Sequence, residues 1–348
     1  MRGLRPALAA ITLVTALAGI ARYASGVSEV LAFALATLSL AGLAWIVSFS
    51  TEQVGRKFGP GVTGLMQSTV GNLPEFFVVI FALNAGAKTV AQTAILGSIL
   101  VNALLVLGLV IIAGALHSRD RVMRFSPRLP NDTATLLLIS SFIIVLIGLA
   151  HGAGDPASHH GKTISIIGAI AILIVYATWT WQYVRSDELP PAEEHQWLAT
   201  PAGIVLLTVA GVASAFVSDW FVHALQPTIT TLHISQAFAG LVIVAIAGNA
   251  VENVAGIVLA AKGSSELAIS VVKNSVAQIA AFLYPVLVLV SLLTATTLTF
   301  ALAPVYIGAL IGTAVIVWQV TGDGEATVFE GAALIATFVI LATVAAFE

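Results

Sequence analysis

Apolar stretches of about twenty residues recur from one end of the chain to the other, separated by short charged or Gly/Pro-rich breaks. Each is long enough to cross a hydrocarbon core of roughly 30 Å as a helix. Read between the breaks, they predict eleven spans near 7–23, 28–50, 60–87, 90–116, 133–152, 162–182, 200–224, 233–263, 265–295, 297–318 and 326–347. Composition agrees: the 348 residues are 59% hydrophobic and only 9% charged, where a soluble domain carries charge on roughly a quarter of its residues. The expected fold is an all-α integral membrane protein of about eleven transmembrane helices.

The charged positions orient these spans. With the N-terminus inside, the inner connections hold Arg2, Arg5, Arg56, Lys57, Arg119, Arg121, Arg124, Arg128, Arg185 and Lys262, and the outer ones hold Arg22, Lys88 and Lys162. This is the bias of the positive-inside rule. Arg2 and Arg5 ahead of an apolar stretch also fit a cleaved signal peptide, but a retained first span fits the topology without processing and is adopted here. The most polar connection, from Arg185 to His195, includes Asp187, Glu188, Glu193 and Glu194. It divides the chain into an N-terminal transmembrane helix (1–27), a first five-helix repeat (28–184), an acidic cytoplasmic linker (185–199) and a second five-helix repeat (200–348).

The duplication is visible in the letters. A shift of 177 residues carries Gly71-Asn72-Leu73-Pro74-Glu75 onto Gly248-Asn249-Ala250-Val251-Glu252, and also Ile80 onto Ile257, Gly86 onto Gly263 and Ser98 onto Ser275. Five spans per repeat is an odd number, so the second copy enters the membrane from the opposite side. Inverted repeats of this kind are widespread among secondary transporters, with the substrate site near the midplane at their interface.

Of the seventeen acidic residues, Glu75 and Glu252 alone lie more than ten residues from both ends of an apolar run. An ionised side chain at that depth costs at least about 2.5 kcal/mol and marks a pathway or partner more often than a structural contact. In each motif the asparagine and glutamate are three apart, on one helical face. Glycine, and Pro74 in the first copy, weaken the helix there and free backbone carbonyls. Ser98 with Asn102, and Ser275 with Gln278, share faces of the following spans. The candidate ion-binding set is thus Asn72, Glu75, Ser98, Asn102, Asn249, Glu252, Ser275 and Gln278, with the two glutamates as metal ligands. Eight oxygen-bearing side chains without sulfur or imidazole suit calcium better than zinc or magnesium. Calcium enters as transported substrate, and no cofactor is implied.

These paired Gly-Asn-x-x-Glu segments, each followed by its serine-and-amide helix, resemble the calcium/proton exchangers of the cation/calcium exchanger superfamily. The resemblance takes in Gln92 ahead of Gly97-Ser98-Ile99-Leu100-Val101-Asn102, Ser275-Val276-Ala277-Gln278, Asp323-Gly324-Glu325 and Phe329-Glu330-Gly331. It implies antiport of Ca2+ against H+ by alternating access, with Glu75 and Glu252 binding cation and protons in turn. Physics agrees, because two buried carboxylates are neutralised by one divalent cation or by protons and cannot cross bare. The sequence departs from the family at Asn253, where histidine is usual, and at Asn274, where glycine is usual. Pro74 is similar to the sodium/calcium branch, so Na+/Ca2+ exchange and H+-coupled transport of another divalent ion such as Mn2+ stay open.

Lys273, equivalent to Leu96 in the first repeat, lies about one turn into a span and is expected to snorkel to the inner surface. The alternative is a charge near the site. The seven histidines fall in loops or near span ends, where His159-His160 is at most a weak metal pair. An intramembrane enzyme would need a nucleophile with its base or a His-Glu-x-x-His triad, and none is present. The absence of a basic tract interleaved with aromatics sets nucleic acid aside. A channel would need symmetric subunits or selectivity rings. The expected partners are Ca2+, H+ and the lipid bilayer, with a homo-oligomer left open. The expected location is a prokaryotic plasma (inner) membrane, with the N-terminus cytoplasmic and the C-terminus outside.

Overall fold

A computed structural model describes residues 4–55, 66, 70–184 and 198–348. The first part of the expected third span and linker residues 185–197, with Glu193 and Glu194, lie outside the described residues. The described chain runs α1 Leu4–Tyr23, α2 Glu29–Gly55, α3 Leu73–Asn84, α4 Lys88–His117, α5 Arg128–Ala153, α6 Gly161–Val184, α7 Thr200–Leu232, α8 Gln236–Gly248, α9 Ala250–Ala261, α10 Ser265–Leu293, α11 Pro304–Thr321 and α12 Val328–Ala346. Nine of the described helices are long and apolar enough to cross a membrane, and the bent pair α8–α9 makes a tenth. The expected all-helical membrane fold is what forms. One short ribbon departs from it, where β1 (Val122–Arg124) pairs antiparallel with β2 (Glu325–Thr327).

Burial ranks the helices. In α4, 83% of the apolar stretch lies inside the protein, and 61% in α10, against 11% in α1 and 22% in α12. The two central helices are therefore those that follow the two glutamate motifs. Around them, α2 packs along α7, α3 on α7, α9 on α10 and α12 on the second half of α4.

Backbone geometry repeats at the same shift as the letters. Both α3 and α9 have 12 residues, and they start after Asn72 (φ −89°, ψ 14°) and Asn249 (φ −104°, ψ 15°). Each helix is followed by a glycine at positive φ, 75° at Gly86 and 83° at Gly263, a conformation that disfavours any residue with a Cβ. The central helices α4 and α10 then begin at Lys88 and Ser265, and each loosens into π-helical turns, at Val101–Val106 and Ile279–Leu283. Such turns in an α-helix frequently accompany functional sites.

Connections group at two ends, as alternating spans require. At one end Phe125 N donates to Gly324 O at 2.9 Å and Ser126 N to Glu266 Oε2 at 2.7 Å. Arg124 there bridges Asp120 at 2.7 Å and Glu325 at 3.1 Å, and its hydrogen bond holds the Asp120 carboxyl below the usual carboxylate range. At the other end Ala295 N donates to Asn84 Oδ1 at 3.2 Å and Gln92 Nε2 to Ala301 O at 2.9 Å. The Asp323-Gly324-Glu325 and Glu330-Gly331 segments serve structure: Glu330 closes a capping box with Thr327, and Gly331 lies against the backbone of Gly108.

The expected tenth span, 297–318, is corrected. Residues 294–303 are not helical, and α11 begins only at Pro304. Leu298 and Phe300 are apolar because they are buried, each 0% exposed. Hydroxyls satisfy their backbone instead, Ser291 Oγ accepting from Leu298 N and Ser165 Oγ from Phe300 N.

Candidate ion-binding site

Both glutamate motifs break their helices at the Gly-Asn pair. Between α8 and the rest of α9 the chain bends by 59°, and Pro74 sits in the first turn of α3, where its missing N–H costs nothing. Glu75 is the third residue of α3 and is 4% exposed. The first turn of a helix is where backbone N–H groups favour a carboxylate. The Ser98 hydroxyl of α4 donates to Glu75 Oε1, so the equal motif-to-serine spacing does correspond to a contact in the first repeat. Ser218 of α7 donates to the Pro74 carbonyl at 3.4 Å, fixing the broken end.

The two motifs meet across the repeat boundary. Asn102, in the π-helical part of α4, donates from Nδ2 to Asn249 Oδ1 at 2.9 Å, and Asn249 Nδ2 donates to Ala245 O at 3.0 Å. A Cβ built on Gly248 would lie 3.9 Å from Glu75 Cβ. The head of one motif thus packs beside the glutamate of the other. Glu252 occupies the same third position of α9 that Glu75 holds in α3, and its side chain lies outside the described residues.

Several polar atoms here are buried without a hydrogen bond: Asn72 Nδ2, Asn102 Oδ1, Asn253 Oδ1 and Ser275 Oγ. Native interiors leave few such atoms. Two are carbonyl-type acceptors that cannot satisfy each other, a donor set that suits a hard cation. Gln278 is half-buried and Asn72 is 8% exposed; neither is joined to Glu75 by a hydrogen bond. Sequence reading missed Thr133 and Ser140 of α5, which donate to the Lys273 and Ala280 carbonyls of α10 at 3.4 and 3.0 Å. Their signal was a seven-residue spacing along one face of α5.

Lys273 does not snorkel. It is 1% exposed, and its Nζ donates to Thr321 Oγ1 of α11 at 3.1 Å. Thr321 is itself 0% exposed and also donates to Val317 O. One hydrogen bond offsets little of the cost of a buried amine. Lys273→Met should therefore leave thermal stability in detergent unchanged or raise it by about 1 kcal/mol. A clear fall in melting temperature would show that the amine carries a contact the apolar side chain cannot replace.

A sequence profile of the family described as "Sodium/calcium exchanger protein" matches residues 28–183 and 202–347. Among curated proteins, the chain is 30% identical over 319 residues to "Ca(2+)/H(+) antiporter ChaA" of Bacillus subtilis (strain 168), covering 89% of this chain and 90% of that protein. Among solved structures, native YfkE superposes with a TM-score of 0.81 at 25% identity, covering 98% of this chain and 99% of that one. The sodium-calcium exchanger NCX_Mj superposes at 0.57 with 21% identity, covering 91% and 98%, a likeness of fold.

Proposed function

This chain belongs to the sodium/calcium exchanger protein family, and we propose that within it the protein exchanges Ca2+ for H+ by alternating access, Glu75 and Glu252 binding cation and protons in turn. It is a multi-pass membrane exchanger and not an enzyme. Relatives named as Ca2+/H+ antiporters support the choice of ions. The observation that carries the reading is the buried Glu75, bonded to Ser98 and facing Gly248, beside the Asn102–Asn249 link between repeats.

A site formed where two inverted halves meet is one that rocking of the halves can expose to either side. Ca2+ bridging two carboxylates and the surrounding neutral oxygens, Asn72, Ser98, Asn102, Asn249, Ser275 and Gln278, would have the six to eight oxygen ligands it takes. Protons neutralise the same carboxylates, and a loaded site of either kind crosses more cheaply than a bare one. The basic connections at the ribbon end support an inner, cytoplasmic placement of that end, with the N-terminus cytoplasmic and the C-terminus outside, in a prokaryotic plasma membrane.

The test is calcium uptake into proteoliposomes loaded with a pH dye, under an imposed proton or sodium gradient. Proton-driven uptake matched by an internal pH change is the expected result. Uptake driven by sodium alone would assign Na+/Ca2+ exchange, and proton-driven Mn2+ flux without Ca2+ flux would assign a different substrate.

A further inference from the structure

The repeats are not chemically equal beside the site. The position after the first glutamate is Phe76, and after the second it is Asn253. Phe76 is an apolar ring packed edge-on to Phe77, their centroids 5.6 Å apart. Asn253 brings an amide.

Three observations locate that amide. Asn253 N donates to Asn249 O at 3.0 Å, so the two asparagines lie one turn apart on the same face of α9, and Asn249 points at Asn102 of α4. Gly256, three residues further on that face, lies against Val272 and Ala268 O of α10 and Val110 of α4; a Cβ there would come within 3.0, 3.8 and 3.2 Å of them. Because α9 and α10 run antiparallel through a short turn, stepping back from Gly256 to Asn253 means stepping forward along α10 from Val272 to Ser275. Asn253 is therefore placed on the face of α9 that meets α10 and α4, about level with Ser275. Its Oδ1 is buried without a hydrogen bond, as are Ser275 Oγ on α10 and Asn102 Oδ1 on α4.

An amide oxygen has only lone pairs to offer. Neither Asn102 Oδ1 nor Asn253 Oδ1 can satisfy the other, and leaving both buried is costly. A hard cation is the partner that accepts several such oxygens at once. We propose that Asn253 is a further ligand of the transported cation, supplied by the second repeat alone, so that the site is asymmetric and its selectivity for a large hard cation depends on this neutral oxygen. The inference rests on the calcium-exchange reading and deepens it. An additional neutral oxygen raises the coordination number without changing the charge, and high coordination distinguishes Ca2+ from Mg2+ and Mn2+.

The experiment uses the full chain in proteoliposomes, with Asn253→Leu, which keeps the branched shape and removes the oxygen, and Asn253→Asp, which keeps an oxygen at the same place. Calcium KM, kcat and competition by Mn2+ are measured, with 45Ca2+ binding and melting temperature in detergent. Asn253→Leu should raise the calcium KM and the dissociation constant about tenfold, the worth of roughly one ligand, while competition by Mn2+ strengthens relative to Ca2+ and melting is unchanged. Asn253→Asp should retain calcium binding. An unchanged KM and selectivity in Asn253→Leu, beside a working unmodified protein, overturns the inference alone. So does a loss of melting temperature in Asn253→Leu that Asn253→Asp does not share, with calcium binding intact, because the residue would then be structural. No calcium binding or flux by the unmodified protein overturns the exchange reading and the inference with it.

Discussion

Glu75→Gln is expected to reduce proton-driven calcium uptake to that of empty liposomes while leaving the protein folded. The amide keeps the shape of the side chain, and its oxygen can still accept from the Ser98 hydroxyl, so the local packing at a position only 4% exposed is preserved. What disappears is the negative charge. Removing one partner of a buried charge interaction costs about 3 kcal/mol, roughly a hundredfold in affinity or rate, and a permanently neutral Glu75 position has no proton to exchange for the cation. The measurements are calcium flux with the internal pH record, and melting temperature in detergent. A folded Glu75→Gln protein that still exchanges would mean that Glu75 is a structural hydrogen-bonding residue and that the coupling lies elsewhere. Glu252→Gln should behave the same way, since its place in α9 repeats that of Glu75 in α3.

Gly97→Val is the second large effect, and it acts on the fold before it acts on transport. A Cβ at Gly97 would lie 2.3 Å from Leu241 O, 2.6 Å from its Cα and 2.7 Å from its C. All three are backbone atoms, so no rotamer change relieves the clash, and α4 and α8 must separate. Small residues at such crossings let membrane helices approach until their backbones touch. Forcing them apart should cost at least about 3 kcal/mol, the upper range for overpacking, and displace Ser98, the next residue, from Glu75. The expected result is loss of monodisperse protein, or a melting temperature lowered together with transport. Gly312→Ala is the control: nothing lies within 4 Å of a Cβ there, and alanine in a helix interior is favoured by roughly 0.5–1 kcal/mol over glycine. If Gly97→Val melts like the unmodified protein, the α4–α8 crossing is looser than described and is not what positions Ser98.

Much of this was legible in the letters. The all-helical membrane character and the repeat follow from one-dimensional properties, because a run of apolar residues reports the thickness of the hydrocarbon and a shift of 177 residues needs no folding to be seen. The breaks at Gly71-Asn72 and Gly248-Asn249 followed from local backbone preference. The Glu75–Ser98 contact was implied by an equal spacing in both copies and by the hairpin that a positive-φ glycine, Gly86, allows. These are arguments of propensity, period and parity, and they depend only on near neighbours along the chain.

Other features had no such signal. Apolarity at Leu298 and Phe300 looked like the start of a span, yet it records burial of an irregular segment whose backbone is held by Ser165 and Ser291. Lys273 looked able to reach the inner surface, but α10 packs against α5, the side chain is 1% exposed, and its amine donates to Thr321 of α11. The Asn102–Asn249 link and the approach of Gly248 to Glu75 join residues from opposite repeats. By itself the sequence determined the helical membrane character of the chain and its internal repetition, and it singled out Glu75 and Glu252 as candidates, since hydrophobic length and repetition are written along one dimension. The tertiary structure decided which oxygens share a site, because side chains 147 positions apart acquire a distance only once the helices have packed.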